Sequence, residues 1–307
     1  MRGAIATLII GVVAYFFARS LSENWDSLRE EDLSLGWWAL AATVLFVLAV
    51  AVSGLLWGRI VHRLDDQPIT ATESIRVHFS SWLLKYVPGQ VGFVLNKVVW
   101  GQRRGTSRLL VLISVVYENA FLLLGSTVPM LAILIVARGD SVEITGTVWV
   151  ALAAMIPLAL MTHPAVFHRV VALLGKRTLK RPVPREYFLP FGTTLGFQSA
   201  FLIPRIINGV GIALIAGALA GAGPDSWVPL GAAYAIAGAV GIMAVFVPSG
   251  LGVREAVFVL FAAPYVGTEK AIIIALVARV LATIADAVIA GVYGILTLTL
   301  KKRKRRT

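Results

Sequence analysis

Cysteine is absent from this 307-residue chain. Disulfide scaffolds, thiolate metal sites and cysteine nucleophiles are excluded with it. Charge is scarce. Asp, Glu, Lys and Arg make up 14% of the residues, against 58% hydrophobic residues and a mean hydropathy of +0.83. A soluble globular domain carries about 25% charge and about 45–50% apolar residues. This chain has too little polar surface to cover a water-soluble fold of its length, so a cytosolic enzyme is excluded. The four histidines, His62, His78, His163 and His168, show no metal-ligand spacing. His163 and His168 flank a helix end and read as interfacial. A phosphate-binding Gly-Lys loop, a zinc-helix motif and a Ser/His/Asp set are all missing, so neither a metal nor a cofactor is expected.

Long apolar runs are what the chain does have. They cover about 3–21, 36–58, 108–137, 147–162, 188–219, 228–247 and 270–300, each near the length of roughly 20 residues that a bilayer crossing needs. Two further segments, about 75–100 and 248–266, are apolar but carry Lys85, Lys97, Arg254 and Glu255. The 3–21 run reads as a first membrane helix rather than a cleaved leader, because no small-residue cleavage site closes it before Arg19. The longest polar stretch, read as a 163–187 loop, is too short for a soluble catalytic domain. Trp25, Trp37, Trp38, Trp57, Trp100 and Trp227 lie near the ends of the runs, as interface anchors do. Gly209-Val210-Gly211 and Gly217-Ala218-Leu219-Ala220-Gly221 suit close helix packing.

The net charge of +12 comes from 28 basic and 16 acidic residues, and its location matters more than its size. The tail Lys301-Lys302-Arg303-Lys304-Arg305-Arg306 is wholly basic, and 163–187 carries Arg169, Lys176, Arg177, Lys180, Arg181 and Arg185. The 22–35 loop instead holds Glu23, Asp26, Glu30, Glu31 and Asp32. The positive-inside rule places both termini in the cytoplasm and the acidic loop outside the cell membrane. Beside a membrane helix, the basic tail fits anionic lipid headgroups rather than nucleic acid. Seven crossings cannot return both ends to one side. Either 254–266 crosses as a short eighth helix, or 228–247 and 254–264 form a re-entrant hairpin. About 13 residues reach only about 20 Å as a helix, which favours the hairpin.

The segment Tyr86-Val87-Pro88-Gly89-Gln90-Val91-Gly92-Phe93 is echoed 160 positions later by Phe246-Val247-Pro248-Ser249-Gly250-Leu251-Gly252-Val253. Proline removes a backbone donor and glycine permits bends. Such broken backbone survives at membrane depth only beside protein or a water-filled cavity. Paired breaks in two halves point to a transporter binding site. The expected fold is therefore an all-α polytopic membrane protein of about six to eight crossings. It forms one domain over 1–300, with inverted half-repeats near 36–162 and 188–300 and a basic tail at 301–307. Pro88, Gly89, Gly92, Pro248, Gly250 and Gly252 are the helix-breaking residues.

Ionisable side chains at membrane depth cost roughly 2.5–3.5 kcal/mol each on insertion scales, so those present need a reason. Lys85, Lys97, Glu118, Arg205, Arg254, Glu255, Arg279 and Asp286 all sit in or beside apolar runs. Arg279 and Asp286 are seven apart, two turns of one helix, and share a face. That is too far for a direct pair, so each is expected to meet another helix. Arg254 and Glu255 follow the second break, where a half-helix begins. A helix N-terminus favours an anion, and Arg adds a forked donor suited to phosphate. Lys85, Asn96, Glu118, Asn119, Arg254, Glu255, Arg279 and Asp286 are the candidate substrate-binding residues. The alternative for each is a buried structural pair or a snorkelling side chain.

Val247-Pro248-Ser249-Gly250-Leu251-Gly252-Val253-Arg254-Glu255 resembles the hallmark of the lysylphosphatidylglycerol synthase transmembrane-region family, also called flippase-like domain proteins. Lys85-Tyr86-Val87-Pro88-Gly89-Gln90-Val91-Gly92 resembles that family's other signature. The Arg-rich 103–108 turn leading to Glu118, and Arg279 in the last helix, fit the same order over nearly the whole chain. In the best-known members this domain moves aminoacylated phosphatidylglycerol between leaflets, and a separate soluble domain performs the aminoacyl transfer. That soluble domain is not found here, so lysyl transfer is not expected. The resemblance implies a lipid translocase that binds the headgroup of a phospholipid or a polyprenyl-phosphate-linked sugar in a polar cavity. Arg254, Glu255, Glu118 and Arg279 would line it. Glu118 and Asp286 are candidate proton carriers. The rival expectations are a membrane-embedded transferase using a lipid-phosphate donor, and a non-catalytic accessory subunit that meets envelope-biosynthesis proteins.

Overall fold

In the computed structural model, residues 36–65, 67–86, 91–137, 160, 163–179, 184–243 and 252–304 are described. The 3–21 and 147–162 runs, the acidic 22–35 loop and the breaking residues Pro88, Gly89, Pro248 and Gly250 lie outside the described residues (only residue 160 of the second run is included).

The described chain is helical, with no strand among the described residues. Helix α1 spans Trp37–Asp65, α2 Ala71–Trp82, α3 Val91–Arg104 and α4 Arg108–Ala137. Helix α5 (Pro164–Leu179) and α6 (Phe191–Ala200) follow. Helix α7 covers Leu202–Ala220, α8 Pro224–Met243, α9 Val253–Val266 and α10 Thr268–Lys304. Among the described residues, five helical stretches are long and apolar enough to cross a membrane: Trp37–Asp65, Arg108–Ala137, Arg185–Ala220, Pro224–Met243 and Thr268–Thr299. Their outward faces stay apolar: Leu40, Val44, Leu48, Ile206, Val210, Ile284, Val288 and Ile295 are all exposed. Helices apolar on every side belong in lipid or in a large core.

Two expectations need correction. The 188–219 run is not one continuous helix, because it breaks at Phe201 between α6 and α7. Pro204 supplies the reason. It has no N–H to give the carbonyl four residues back, and its ring crowds that carbonyl, so it sits in the first turn of the new helix. The polar 163–187 stretch is also more than a loop. It contains α5, which starts on Pro164, a residue preadapted to the first helical position.

Helices α1–α4 form one set, in which α1 and α4, of 29 and 30 residues, flank α2 and α3, of 12 and 14; α7–α10 form a second set, of 19, 20, 14 and 37 residues. α1 packs against α7, α2 against α3, and α8 against α9, while α10 touches α1, α2, α7 and α9. The largest core lies where the two sets meet. Trp38, Ala42 and Phe46 of α1 pack there with Ile212 and Ile215 of α7, Tyr234 of α8, Phe258 of α9 and Ile274 and Leu281 of α10.

Helices α2 and α3 run antiparallel, with their outer ends stapled. Thr70 caps α2 by accepting the Glu73 N–H. Glu73 then accepts from Trp100 Nε1 at 3.0 Å and from Arg104 Nη1 at 2.7 Å. Arg104 also donates to the Pro68 carbonyl. The 3₁₀ turn Leu83–Tyr86, which follows α2, is thus at the far tip of the pair. α3 has 14 residues, about 21 Å of helix, shorter than a hydrocarbon core of about 30 Å.

Glycine decides one crossing. A Cβ on Gly231 of α8 would sit 3.1 Å from Gly209 Cα of α7, and one on Gly209 would sit 3.3 Å from Gly231 Cα. Gly231→Leu is expected to cost about 1–3 kcal/mol by forcing α7 and α8 apart. Gly196→Ala has open space and is the neutral control. Thermal unfolding in detergent checks this, and an unchanged midpoint for Gly231→Leu would contradict the close crossing. The Gly217–Gly221 pattern has a different use: Gly221 ends α7 in the left-handed region at φ 64°, where a side chain is strained.

Candidate functional site

Two groups of charged side chains lie inside the helical body. The first is built on the second set of helices and on the tip of the first pair. Gly252, at φ 77°, precedes α9, in a conformation that glycine adopts without strain. Its N–H donates to Glu255 Oε2 at 2.8 Å, so Glu255 caps the helix it belongs to. The other carboxylate oxygen of Glu255 lies 3.7 Å from Arg279 Nη1 of α10. Arg254 lies over the Tyr234 ring of α8, with its guanidinium carbon 4.3 Å from the ring centroid.

Two turns further along α10, Asp286 meets the tip of the first pair. Lys85, in the 3₁₀ turn Leu83–Tyr86, approaches its oxygens at 2.7 and 2.9 Å. Trp82 Nε1 donates to the same carboxylate at 2.8 Å, and Lys85 Nζ lies 4.2 Å from the centroid of that indole. Arg254 and Arg279 are both within electrostatic range of Lys85. Arg205 of α7 is within range of Arg254 and Tyr234, and it donates to the neutral carbonyl of Leu122 at 3.2 Å. Among the described residues, the pairs Lys85–Asp286 and Arg279–Glu255 therefore lie along α10, with Arg254 on the Tyr234 ring next in sequence to Glu255.

Helix α10 is the common wall. It presents Arg279 to Glu255 of α9 and Asp286 to Trp82 and Lys85 at the end of α2, about 10.5 Å apart along the axis. Both residues meet other helices, as their spacing requires.

The second group is sealed from solvent. Lys97 of α3 and Glu118 of α4 form an ion pair at 2.5 Å, with both side chains 0% exposed. His78 of α2 joins them, its Nδ1 3.2 Å from Glu118 Oε1 and 3.3 Å from Lys97 Nζ. Lys97 Nζ also sits 4.3 Å from the Trp57 ring and 4.1 Å from the Phe93 ring. Aromatic faces attract a cation, and more strongly where water is excluded. Trp57 is fully buried and donates to Ser114 Oγ, so it is not the interface anchor that its position near a run end implied. Trp82 stands between the two groups, stacked on His78 and bonded to Asp286.

The candidate residues thus divide. Lys85, Arg254, Glu255, Arg279 and Asp286 come together around α10. Glu118 belongs to the sealed group. Asn96 binds α3 to α2 by donating to Ser80 Oγ and Ser81 Oγ at 2.8 and 2.9 Å. Asn119 donates within its own helix to the Val115 carbonyl. Gly92 is the second residue of α3. Sequence reasoning did not put Tyr234, Trp82, Arg205, Lys97 or His78 among the site residues. The charge of Lys97 and Arg205 within apolar runs was the available signal. Tyr234 and Trp82 carried none, because aromatic residues are common in membrane helices.

Fold and site define a polytopic all-α membrane protein with charged side chains of several helices paired around α10. The sequence model of the lysylphosphatidylglycerol synthase TM region matches residues 3–290, and the chain belongs to that family. The family places its function in membrane lipid biology. A comparison with curated proteins finds no match.

Proposed function

We propose that the chain is a lipid translocase that binds a phosphate-bearing headgroup at the charged side chains around α10 while the hydrocarbon chains stay in the bilayer. The carrying observation is the placement of Arg279 and Asp286 on one helix, the first beside Glu255 of α9 and the second paired with Lys85 at the end of α2. A headgroup held there contacts both halves of the fold, which is what alternate opening to two leaflets requires. Charged side chains at membrane depth mark a pathway by default, and Arg forks match phosphate geometry.

In this reading α2 and α3 dip in from the cytoplasm, and α8 and α9 from outside. The halves are then inverted repeats, and both tips reach the bilayer midplane. Both termini face the cytoplasm, in the plasma membrane. The basic tail contacts anionic lipid, and no covalent bond of the lipid is made or broken.

Reconstitution into vesicles containing a headgroup-labelled fluorescent phospholipid tests it. Wild-type protein is expected to equilibrate the label between leaflets, and Lys85→Ala to slow the exchange several-fold. Exchange no faster than in protein-free vesicles would overturn the proposal.

A further inference from the structure

We infer that His78, held between Lys97 and Glu118, is a proton-binding site that couples lipid movement to protons, one proton binding with each anionic headgroup. The coupling rests on the headgroup reading above. The proton site rests on the geometry of the sealed group.

His78 Nδ1 faces a donor and an acceptor at once. It lies 3.3 Å from Lys97 Nζ and 3.2 Å from Glu118 Oε1. Neutral imidazole has one bare nitrogen and one N–H, whereas imidazolium has two N–H groups. With Nδ1 bare, His78 accepts from Lys97 and offers Glu118 nothing. Glu118 Oε1 is buried and, among the described residues, accepts no hydrogen bond. A proton on Nδ1 supplies that missing bond. Lys97 then keeps Glu118 Oε2 at 2.5 Å and the faces of Trp57 and Phe93. His78 thus has a partner in either protonation state. The proton raises the charge of the group from zero to plus one, with two cations side by side. A dry interior holds such an excess only with an anion near it.

The surroundings of His78 say where that anion sits. Lys97 faces it from α3 and Glu118 from α4, while α1 meets it with Gly54. On α2 itself, Glu73 is bonded at the outer end to Trp100 and Arg104, and Arg76 lies two residues away, on another face of the helix. Trp82, one turn further on, stacks on His78 with ring centroids 6.4 Å apart. Its Nε1 donates to Asp286 of α10, which pairs with Lys85 of the 3₁₀ turn. One indole ring therefore stands between the proton site and the headgroup site. Unit charges about 10 Å apart, at an effective dielectric of about 20, change a binding constant roughly tenfold. An anionic headgroup beside α10 and a proton on His78 favour each other, by the same factor in both directions. His78, Trp82, Lys85 and Lys97 all belong to the α2–α3 pair and its tip, whereas Glu118 and Asp286 stand on α4 and α10. Lys97 and Glu118 are 0% exposed, so a proton enters or leaves only when that pair moves. Headgroup and proton then travel with one element, as symport requires.

The test titrates the full chain in neutral detergent with a headgroup-labelled phosphodiester lipid, whose phosphate keeps one charge throughout. Label fluorescence reads binding, and a pH dye in weak buffer reads protons. Near about pH 6.5, the wild type is expected to take up protons as lipid binds, approaching one per lipid. Between about pH 8 and about pH 5 its affinity is expected to rise as pH falls, by at most about tenfold per unit, the slope for one linked proton. His78→Asn keeps an amide where Nδ1 lies but cannot take the proton, and is expected to lose both effects. The nitrogen NMR shift of the wild-type His78 imidazole reads the same proton without a variant, and is expected to move to the imidazolium position on lipid addition. An unmoved shift, or binding with neither uptake nor pH dependence, would overturn the proton site and leave the headgroup reading standing. Uptake unchanged in His78→Asn would place the proton elsewhere and overturn the role of His78. Absence of lipid binding at every pH would overturn the headgroup reading and the coupling with it.

Discussion

Lys97→Met is expected to destabilise the protein by about 3–5 kcal/mol, a greater loss than that of Gly231→Leu. The side chain it removes is 0% exposed and faces Glu118 at 2.5 Å. Its loss strands a buried carboxylate whose only other close ionisable contact, among the described residues, is His78. It also removes the ammonium from between Trp57 and Phe93. The double variant Lys97→Met, Glu118→Met is expected to recover most of that stability, because replacing both members of a buried pair by apolar groups is often neutral. Unfolding midpoints and folded yield in detergent measure the effect. A neutral single variant, or a double variant worse than the single, would contradict the sealed group as the latch between α2, α3 and α4.

Arg254→Ala is expected to act in the opposite way, removing ligand affinity while the fold stays intact. The guanidinium contacts the Tyr234 ring, an interaction worth about 0.5–1 kcal/mol where exposed and about 2 where desolvated. Glu255, not Arg254, caps α9 and pairs with Arg279, so truncation leaves no buried carboxylate stranded. A charge-assisted hydrogen bond contributes about 1.5–3 kcal/mol. Its loss corresponds to roughly a 10- to 150-fold rise in the dissociation constant for the headgroup-labelled phospholipid. Calorimetric titration, run beside a thermal melt, separates binding from folding. A midpoint that collapses together with affinity would reassign Arg254 to structure.

Much of this architecture was legible in the sequence. The 108–137 run is α4 residue for residue, and the runs at 36–58 and 270–300 lie almost wholly within α1 and α10. Hydropathy reads such elements well because lipid forces every backbone group into helical bonds. The echo of Pro and Gly marked where α3 and α9 begin. Hydropathy also merged α6 with α7, because it averages over a single proline, and it missed α5, whose apolar stripe is diluted by Arg169, Lys176 and Arg177.

The candidate site was only half legible. Charges in apolar runs announce themselves one by one, and the two-turn spacing of Arg279 and Asp286 foretold separate partners. Which charge meets which depends on helices more than 150 residues apart, as Lys85 and Asp286 show. Periodicity within one helix carries no such information. Glu118 and Asp286 looked alike, each an acid amid aliphatic residues. Their surroundings differ: Lys97 and two aromatic rings seal the first, while the second meets Lys85 and Trp82 at the end of α2.

Native mass spectrometry of the gently purified protein tests the headgroup site most directly, comparing wild type with Arg254→Ala. One phosphate-bearing lipid retained by the wild type and lost from the variant is the predicted result. Bound lipids that mirror the host membrane equally in both proteins would contradict it, leaving the charges around α10 as packing pairs.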